Sequence, residues 1–270
     1  MMRMTETVKQ LLIINIIFFI GSQLVPAAYP LFSLYFPENE SFRFWQPLTS
    51  MFMHAPMPNI MHIAFNMFAL VSFGSALEHF WGPKKFLFFY ISCGLGAALL
   101  HLGVTYFQIN STLEQLSALK ISSSDLHFLL NADYSLAFDE NGQMIAGKVK
   151  SVLDSYNFNQ EQFNILSAAI SEYNTPSVGA SGAIYGLLTA FAFMFPNAEL
   201  ALLFIPVPIK ARYFVPGLIF LDLFLGFKGS SIFGSGGTGI AHFAHVGGAI
   251  TGFIMMWYWK KNSFNNKRWD

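Results

Sequence analysis

Charge is what this sequence has least of. Only 11% of its 270 residues are Asp, Glu, Lys or Arg, and the two signs cancel to a formal net charge of zero. Soluble domains carry about 25%. With no basic excess there is nothing to neutralise a phosphate backbone, so nucleic acid is excluded as a partner. Cysteine is almost missing too. The single Cys93 can form neither an internal disulfide nor a cysteine-based metal site, and inside an apolar run it reads as a small buried hydrophobe. The H-E-x-x-H pattern of a zinc protease is absent. No metal and no cofactor is expected. Internal repeats, which would favour a transporter or channel, are not seen either.

Apolar residues, by contrast, make up 54% of the chain, with 31 Phe, and they fall in blocks. The runs Leu11–Phe32, Ile60–Leu77, Phe86–Phe107, Ala180–Phe195, Tyr213–Phe227 and Ala241–Trp259 are candidate membrane helices. A crossing takes roughly 17–25 residues, so the two shortest runs must borrow flanking residues or be sheltered by neighbours. The first run contains Pro26 and Pro30 and no clean cleavage site follows it, so it reads as a retained helix. Placing the N-terminus in the cytoplasm puts Arg3, Lys9, Lys84, Lys85, Lys210, Arg212, Lys260, Lys261, Lys267 and Arg268 inside. Arg43, Lys120, Lys148, Lys150 and Lys228 then lie outside. This bias predicts six spans with both termini cytoplasmic. The expectation is an all-α, multi-pass integral membrane protein, residues 1–270 forming one membrane domain, in a bacterial inner membrane.

Residues 108–176 differ in kind. Glu114, Asp125, Asp133, Asp139, Glu140, Asp154, Glu161 and Glu172 outnumber three lysines. The segment is expected to be an extramembrane helical insertion between helices 3 and 4. Within it, Leu113, Leu116, Leu119 and Lys120 suggest a short amphipathic helix, Asp139–Gly142 a turn, and Lys148–Tyr173 a second helical stretch.

Three small constellations carry chemistry. In Gly179-Ala180-Ser181-Gly182 a serine stands between glycines at the mouth of an apolar run. Two readings are open: an N-cap before a Gly-Ala packing face, or a nucleophile with backbone amides beside it for a developing oxyanion. In Ala241–Gly252, Gly248 and Gly252 form a small-xxx-small face. His245 lies in register with them, and His242 one turn nearer the water. If the partner is the Ser181 helix, whose Gly182 and Gly186 repeat that spacing, Ser181 and His245 can meet. His62 and Asn66 are i and i+4 on one helix face. They read as interhelical hydrogen bonding or as donors to an oxyanion.

Together these motifs resemble the rhomboid intramembrane serine proteases, from about Phe42 to Trp259 without the insertion. The resemblance implies a six-helix bundle with Ser181 as nucleophile and His245 as general base, a dyad with no acidic partner. Asp222, the buried acid in the fifth run, is given no place in a triad. His62 and Asn66, with the Ser181 amide, are the implied oxyanion hole. Gly179 supports it, and Tyr185 is the implied aromatic packing on the histidine. Glu78-x-x-x-Gly82 matches the family's structural motif after helix 2. Phe42–His54 matches its membrane-embedded loop, with Trp45-Gln46 where Trp-Arg is usual and Arg43 nearby. Gly226–Gly239 is the implied mobile cap. The implied function is a serine endopeptidase that cleaves single-pass transmembrane substrates in the lipid bilayer. A proteolytically inactive relative serving as a membrane chaperone is the rival, disfavoured by the presence of both Ser181 and His245. His54, His79, His101 and His127 receive no role.

Overall fold

Helix α1 (Glu6–Leu24) opens the chain, and its end is dictated locally. Pro26 bars the residue before it from helical geometry, and Val25 is extended at φ −121°, ψ 96°. The single helix expected over Leu11–Phe32 is therefore two, α1 and the five-residue α2 (Ala28–Phe32). The structure, a computed structural model, describes residues 4–140, 143–202, 205–228 and 240–263. The chain divides into two compact units: residues 1–34, 44–102 and 177–270 form the first, and residues 35–43 and 103–176 the second.

In the first unit, α3 (Gln46–Thr49) and a 3₁₀ turn, Ser50–Phe52, follow α2. This loop is tied back to α2 by side chains. Trp45 Nε1 donates to the Leu31 carbonyl (3.0 Å), Gln46 Nε2 to that of Pro30 (3.2 Å) and Thr49 Oγ1 to that of Phe32 (2.9 Å). Gln46 is fully buried, so a neutral amide anchors the loop.

Helix α4 (Ile60–Ala69) runs through a π-helical turn, Leu70–Gly74, into α5 (Ser75–Trp81). The buried Glu78 carboxylate caps α1, accepting from the Thr7 amide (3.1 Å), the Val8 amide (3.0 Å) and the Thr5 hydroxyl. It thereby satisfies first-turn donors that the helix itself cannot. Gly82 ends α5 at φ +77°, ψ 165°, a positive-φ conformation that favours glycine. Helix α6 (Pro83–Glu114) has 32 residues. At 1.5 Å per residue it is about 48 Å long, well beyond a hydrocarbon core of about 30 Å. Its residues from Gly103 onward belong to the second unit.

That second unit also holds α7 (Ser123–Asn131), α8 (Lys148–Ser155) and α9 (Gln160–Asn174). Leu116, Leu129, Leu153 and Leu166 form one of its small cores. Ser122 caps α7, and Asn159 with Gln162 makes a capping box on α9. Two expectations are corrected here. The leucines 113, 116 and 119 do not make a separate α-helix: α6 runs on to Glu114, and a 3₁₀ turn, Ser117–Leu119, ends at Lys120 with φ +50°. The stretch Lys148–Tyr173 is broken at Asn157, φ +52°, so that Asn159 can start α9. Of the expected turn at 139–142, residues 141 and 142 lie outside the described residues.

Three helices complete the first unit: α10 (Ser181–Met194), α11 (Ala211–Lys228) and α12 (Ile240–Ser263). Between α10 and α11 stands an antiparallel pair, β1 (Glu199–Leu202) and β2 (Ile205–Lys210), with Glu199 opposite Lys210 and Leu200 opposite Ile209. This hairpin is a small addition to a chain that is otherwise mostly helical, as expected. Pro206 and Pro208 read against a strand, yet a two-stranded pair leaves each strand an outer edge that needs no donor.

Helices α10 and α12 pack backbone to backbone. A Cβ on Gly248 would stand 1.8 Å from the Gly182 carbonyl oxygen, and one on Gly252 2.9 Å from Gly186. Helix α6 packs as closely: a Cβ on Gly182 would meet Ala97 at 2.4 Å, and one on Gly186 would meet Cys93 at 2.4 Å. Close approach of this kind is how helices associate in lipid, where the hydrophobic effect gives them no reason to. Among the described residues, α1, the Ile60–Trp81 rod and α6 are long and apolar enough to cross a membrane, and α10 is a shorter apolar helix. Their outward faces expose Ile13, Ile17, Leu24, Phe88 and Leu99. Such surface is tolerated in lipid and costly in water.

Candidate active site

The geometry starts at Gly179. Its φ of +128° is closed to residues with a side chain, and its amide is held by the Ser50 carbonyl (2.9 Å). This bend delivers the chain into α10 with Ser181 as its first residue. The first intrahelical bond runs from the Ile184 amide to the Ala180 carbonyl (3.0 Å). The Ser181 amide thus belongs to the set that a helix start leaves without an internal acceptor.

Ser181 Oγ is 2.8 Å from His245 Nε2. The glycine register produces this contact: with Gly248 against Gly182, the residue one turn earlier on α12 faces the residue preceding Gly182. The imidazole at the serine is that of His245. His242 is buried a turn away, its Nδ1 on a carboxylate. Tyr185, one turn along α10, stacks on the His245 ring with centroids 4.3 Å apart and planes 8° from parallel.

His62 reaches the same place from α4. Its Nδ1 accepts from the Ala55 amide (3.1 Å), so a neutral ring carries its proton on Nε2 and offers it as a donor. That Nε2 lies 3.3 Å, and Ser181 Oγ 3.4 Å, from the point a Cβ on Gly179 would occupy. The missing side chain of Gly179 is thus an opening between a hydroxyl and an N–H donor. Asn66 is buried one turn from His62. Its Nδ2 donates to the His62 carbonyl (2.6 Å), and its Oδ1 has no partner among the described residues. One of its amide protons is thus committed to the helix backbone.

Two participants were not foreseen. Asp222, the buried acid given no place in a triad, stands against His245. From α11 its Oδ1 accepts from His245 Nδ1 (3.0 Å) and from His242 Nδ1, and its Oδ2 accepts from the Tyr185 hydroxyl. Two turns of sequence logic could have flagged it: an ionisable residue inside an apolar run is a functional hypothesis by default. Asp222, His242 and His245 also offer ligand atoms all within 4.8 Å of one another, the donor chemistry of a small metal site. Here those atoms are joined to one another by hydrogen bonds. The second participant is His54, fully buried, with its ring edge-on to His62 at 5.3 Å and its Nε2 2.9 Å from Asn15 Oδ1. It lies in a loop, where no helical register could announce it. Of the expected cap Gly226–Gly239, residues 229–239 lie outside the described residues.

Chemically, the arrangement offers a hydroxyl with an imidazole acceptor, an N–H pair beside it, and a gap between them. Comparison with known proteins adds two findings. The Rhomboid domain matches residues 41–109 and 114–262 of this chain. The chain is also similar to Rhomboid protein 1, mitochondrial, of Saccharomyces cerevisiae, 32% identical over 91 residues, which is 32% of this chain and 23% of that protein. The matched stretch therefore spans about a quarter of the relative's length.

Proposed function

This chain belongs to the rhomboid family, an integral membrane family whose members are generally serine protease hydrolases, and on that footing we propose that it is an active intramembrane serine endopeptidase cleaving single-pass membrane proteins. The single observation that carries the reading is the 2.8 Å contact between Ser181 Oγ and His245 Nε2. In this reading Ser181 Oγ attacks the scissile carbonyl while His245 Nε2 takes its proton. The developing oxyanion sits in the gap beside Gly179, facing His62 Nε2–H and the Ser181 amide, with Asn66 steadying the His62 turn. Donors aimed at the oxyanion are worth most where water is scarce. The imidazolium then returns its proton to the leaving amine, the C–N bond breaks, and a water repeats the sequence on the acyl-enzyme.

The same reading has six spans, α1, the Ile60–Trp81 rod, α6, α10, α11 and α12, with both termini cytoplasmic in a bacterial inner membrane. Residues 108–176 then lie outside the bilayer. The lysine and arginine bias supports this orientation. The test is cleavage of a single-pass substrate by the purified chain in liposomes. Wild type should cut it, and Ser181→Ala should bind it without cutting. Equal cleavage by both would end the proposal.

A further inference from the structure

His245 is hydrogen-bonded at both ring nitrogens, and the two partners differ in kind. Nε2 faces a hydroxyl, which can donate or accept, whereas Nδ1 faces the carboxylate of Asp222 at 3.0 Å, which in its ionised form can only accept. The proton of a neutral His245 is therefore drawn to Nδ1, and Nε2 is left with the lone pair that a base needs. The carboxylate is itself well determined. It is 5% exposed, and three donors share it: His245 Nδ1 and His242 Nδ1 on Oδ1, and the Tyr185 hydroxyl on Oδ2. A buried charge persists when it is fully hydrogen-bonded in this way. Tyr185 binds Asp222 through its hydroxyl while its ring lies flat against His245. One side chain thus fixes both the plane of the imidazole and the acceptor at its edge.

We propose that Asp222 is a positioning residue of the active site, acting through His245 to complete a Ser181–His245–Asp222 triad in place of a dyad. Its carboxylate selects the Nδ1–H tautomer and compensates the imidazolium formed when Ser181 is deprotonated. Tyr185 and His242 hold that carboxylate in place. The inference rests on the protease reading given above.

The isosteric Asp222→Asn puts an amide where only an acceptor stood. In a soluble Ser-His-Asp enzyme the equivalent change leaves the geometry intact and lowers kcat by about 10⁴, because the tautomer is wrong. The same change here should lower kcat by about 10³–10⁴ with KM within about threefold of wild type, since substrate binding is untouched. Asp222→Glu, which keeps the acceptor, should recover at least tenfold over Asp222→Asn. Independently of any variant at 222, ¹⁵N NMR of the wild-type chain in micelles should find His245 as the Nδ1–H tautomer, its signal assigned by its loss in His245→Ala. Asp222→Asn that is folded and turns over within threefold of wild type, while Ser181→Ala is inactive, overturns the triad and leaves the protease standing. An Nε2–H tautomer in the wild type overturns it whether or not Asp222→Asn folds. Cleavage that survives Ser181→Ala strikes the protease reading instead, and the tautomer still decides the positioning.

Discussion

Replacing Gly248 by alanine adds one methyl group where, among the described glycines, a Cβ has the least room. The added Cβ would lie 1.8 Å from the Gly182 carbonyl oxygen, against about 3.4 Å for ordinary contact, a shortfall of about 1.6 Å. The obstacle is backbone on a neighbouring helix, so no rotamer change relieves it. Helices α10 and α12 must part. Ser181 adjoins Gly182 and His245 lies one turn before Gly248, so most of that separation falls on the 2.8 Å Ser181–His245 contact. A misplacement of about 1 Å in reacting groups costs about 10² in rate, and overpacking costs about 1–3 kcal/mol of stability. Gly248→Ala should therefore lose at least 10² in kcat and show a lower thermal midpoint in detergent. Gly252→Ala, with its nearest clash at 2.9 Å, should lose less of both. Gly21→Ala has nothing within 4 Å and should match wild type. Gly248→Ala with wild-type turnover and midpoint would refute the backbone-contact account of how α12 presents His245.

Three further outcomes follow from named contacts. His62→Ala should lower kcat by about 10²–10³, the usual loss for one oxyanion donor, and Asn66→Ala should lose less, because its amide is committed to the His62 carbonyl; liposome kinetics on folded variants checks the ranking. Glu78→Ala removes the cap on α1 and should cost about 2–3 kcal/mol of stability while folded molecules keep their turnover, read by thermal melts beside activity per folded protein. Burial raises the carboxyl of Glu172, and its Oε2 has no partner among the described residues. A raised acid favours the folded state below its unfolded pKa, and that contribution fades as pH rises through the folded pKa. Glu172→Gln should accordingly raise the thermal midpoint at pH 7 and flatten its dependence above pH 4, measured by melts across that range.

What the sequence disclosed and what it withheld divide along the range of the interactions. Ser181, His245, Gly248 and Gly252 were legible together because helical spacing places a residue and its packing face on one side of a helix, and a small-xxx-small repeat announces a close partner. His62 and Asn66 were legible as a pair for the same reason. Asp222 stood in plain view as an acid among Leu and Phe, but periodicity does not say toward which neighbour α11 turns its one acid. His54 reaches His62 from a loop, where no period applies. The break after Leu24 was written in Pro26, whereas β2 was hidden by Pro206 and Pro208. In the second unit, the left-handed Lys120 and Asn157 ended helices that their leucine spacing would have continued.

The central claim is that Ser181 is a nucleophile made reactive by His245. A fluorophosphonate probe reports this without any substrate, since it forms a covalent bond only with an activated hydroxyl. The wild-type chain in detergent should take up one probe, and mass spectrometry should map it to the peptide containing Ser181. Labelling should vanish in Ser181→Ala and fall to the background of an unactivated serine in His245→Ala, while His242→Ala retains a measurable rate. An adduct on a different serine, or equal labelling of wild type and His245→Ala in folded protein, would contradict the account.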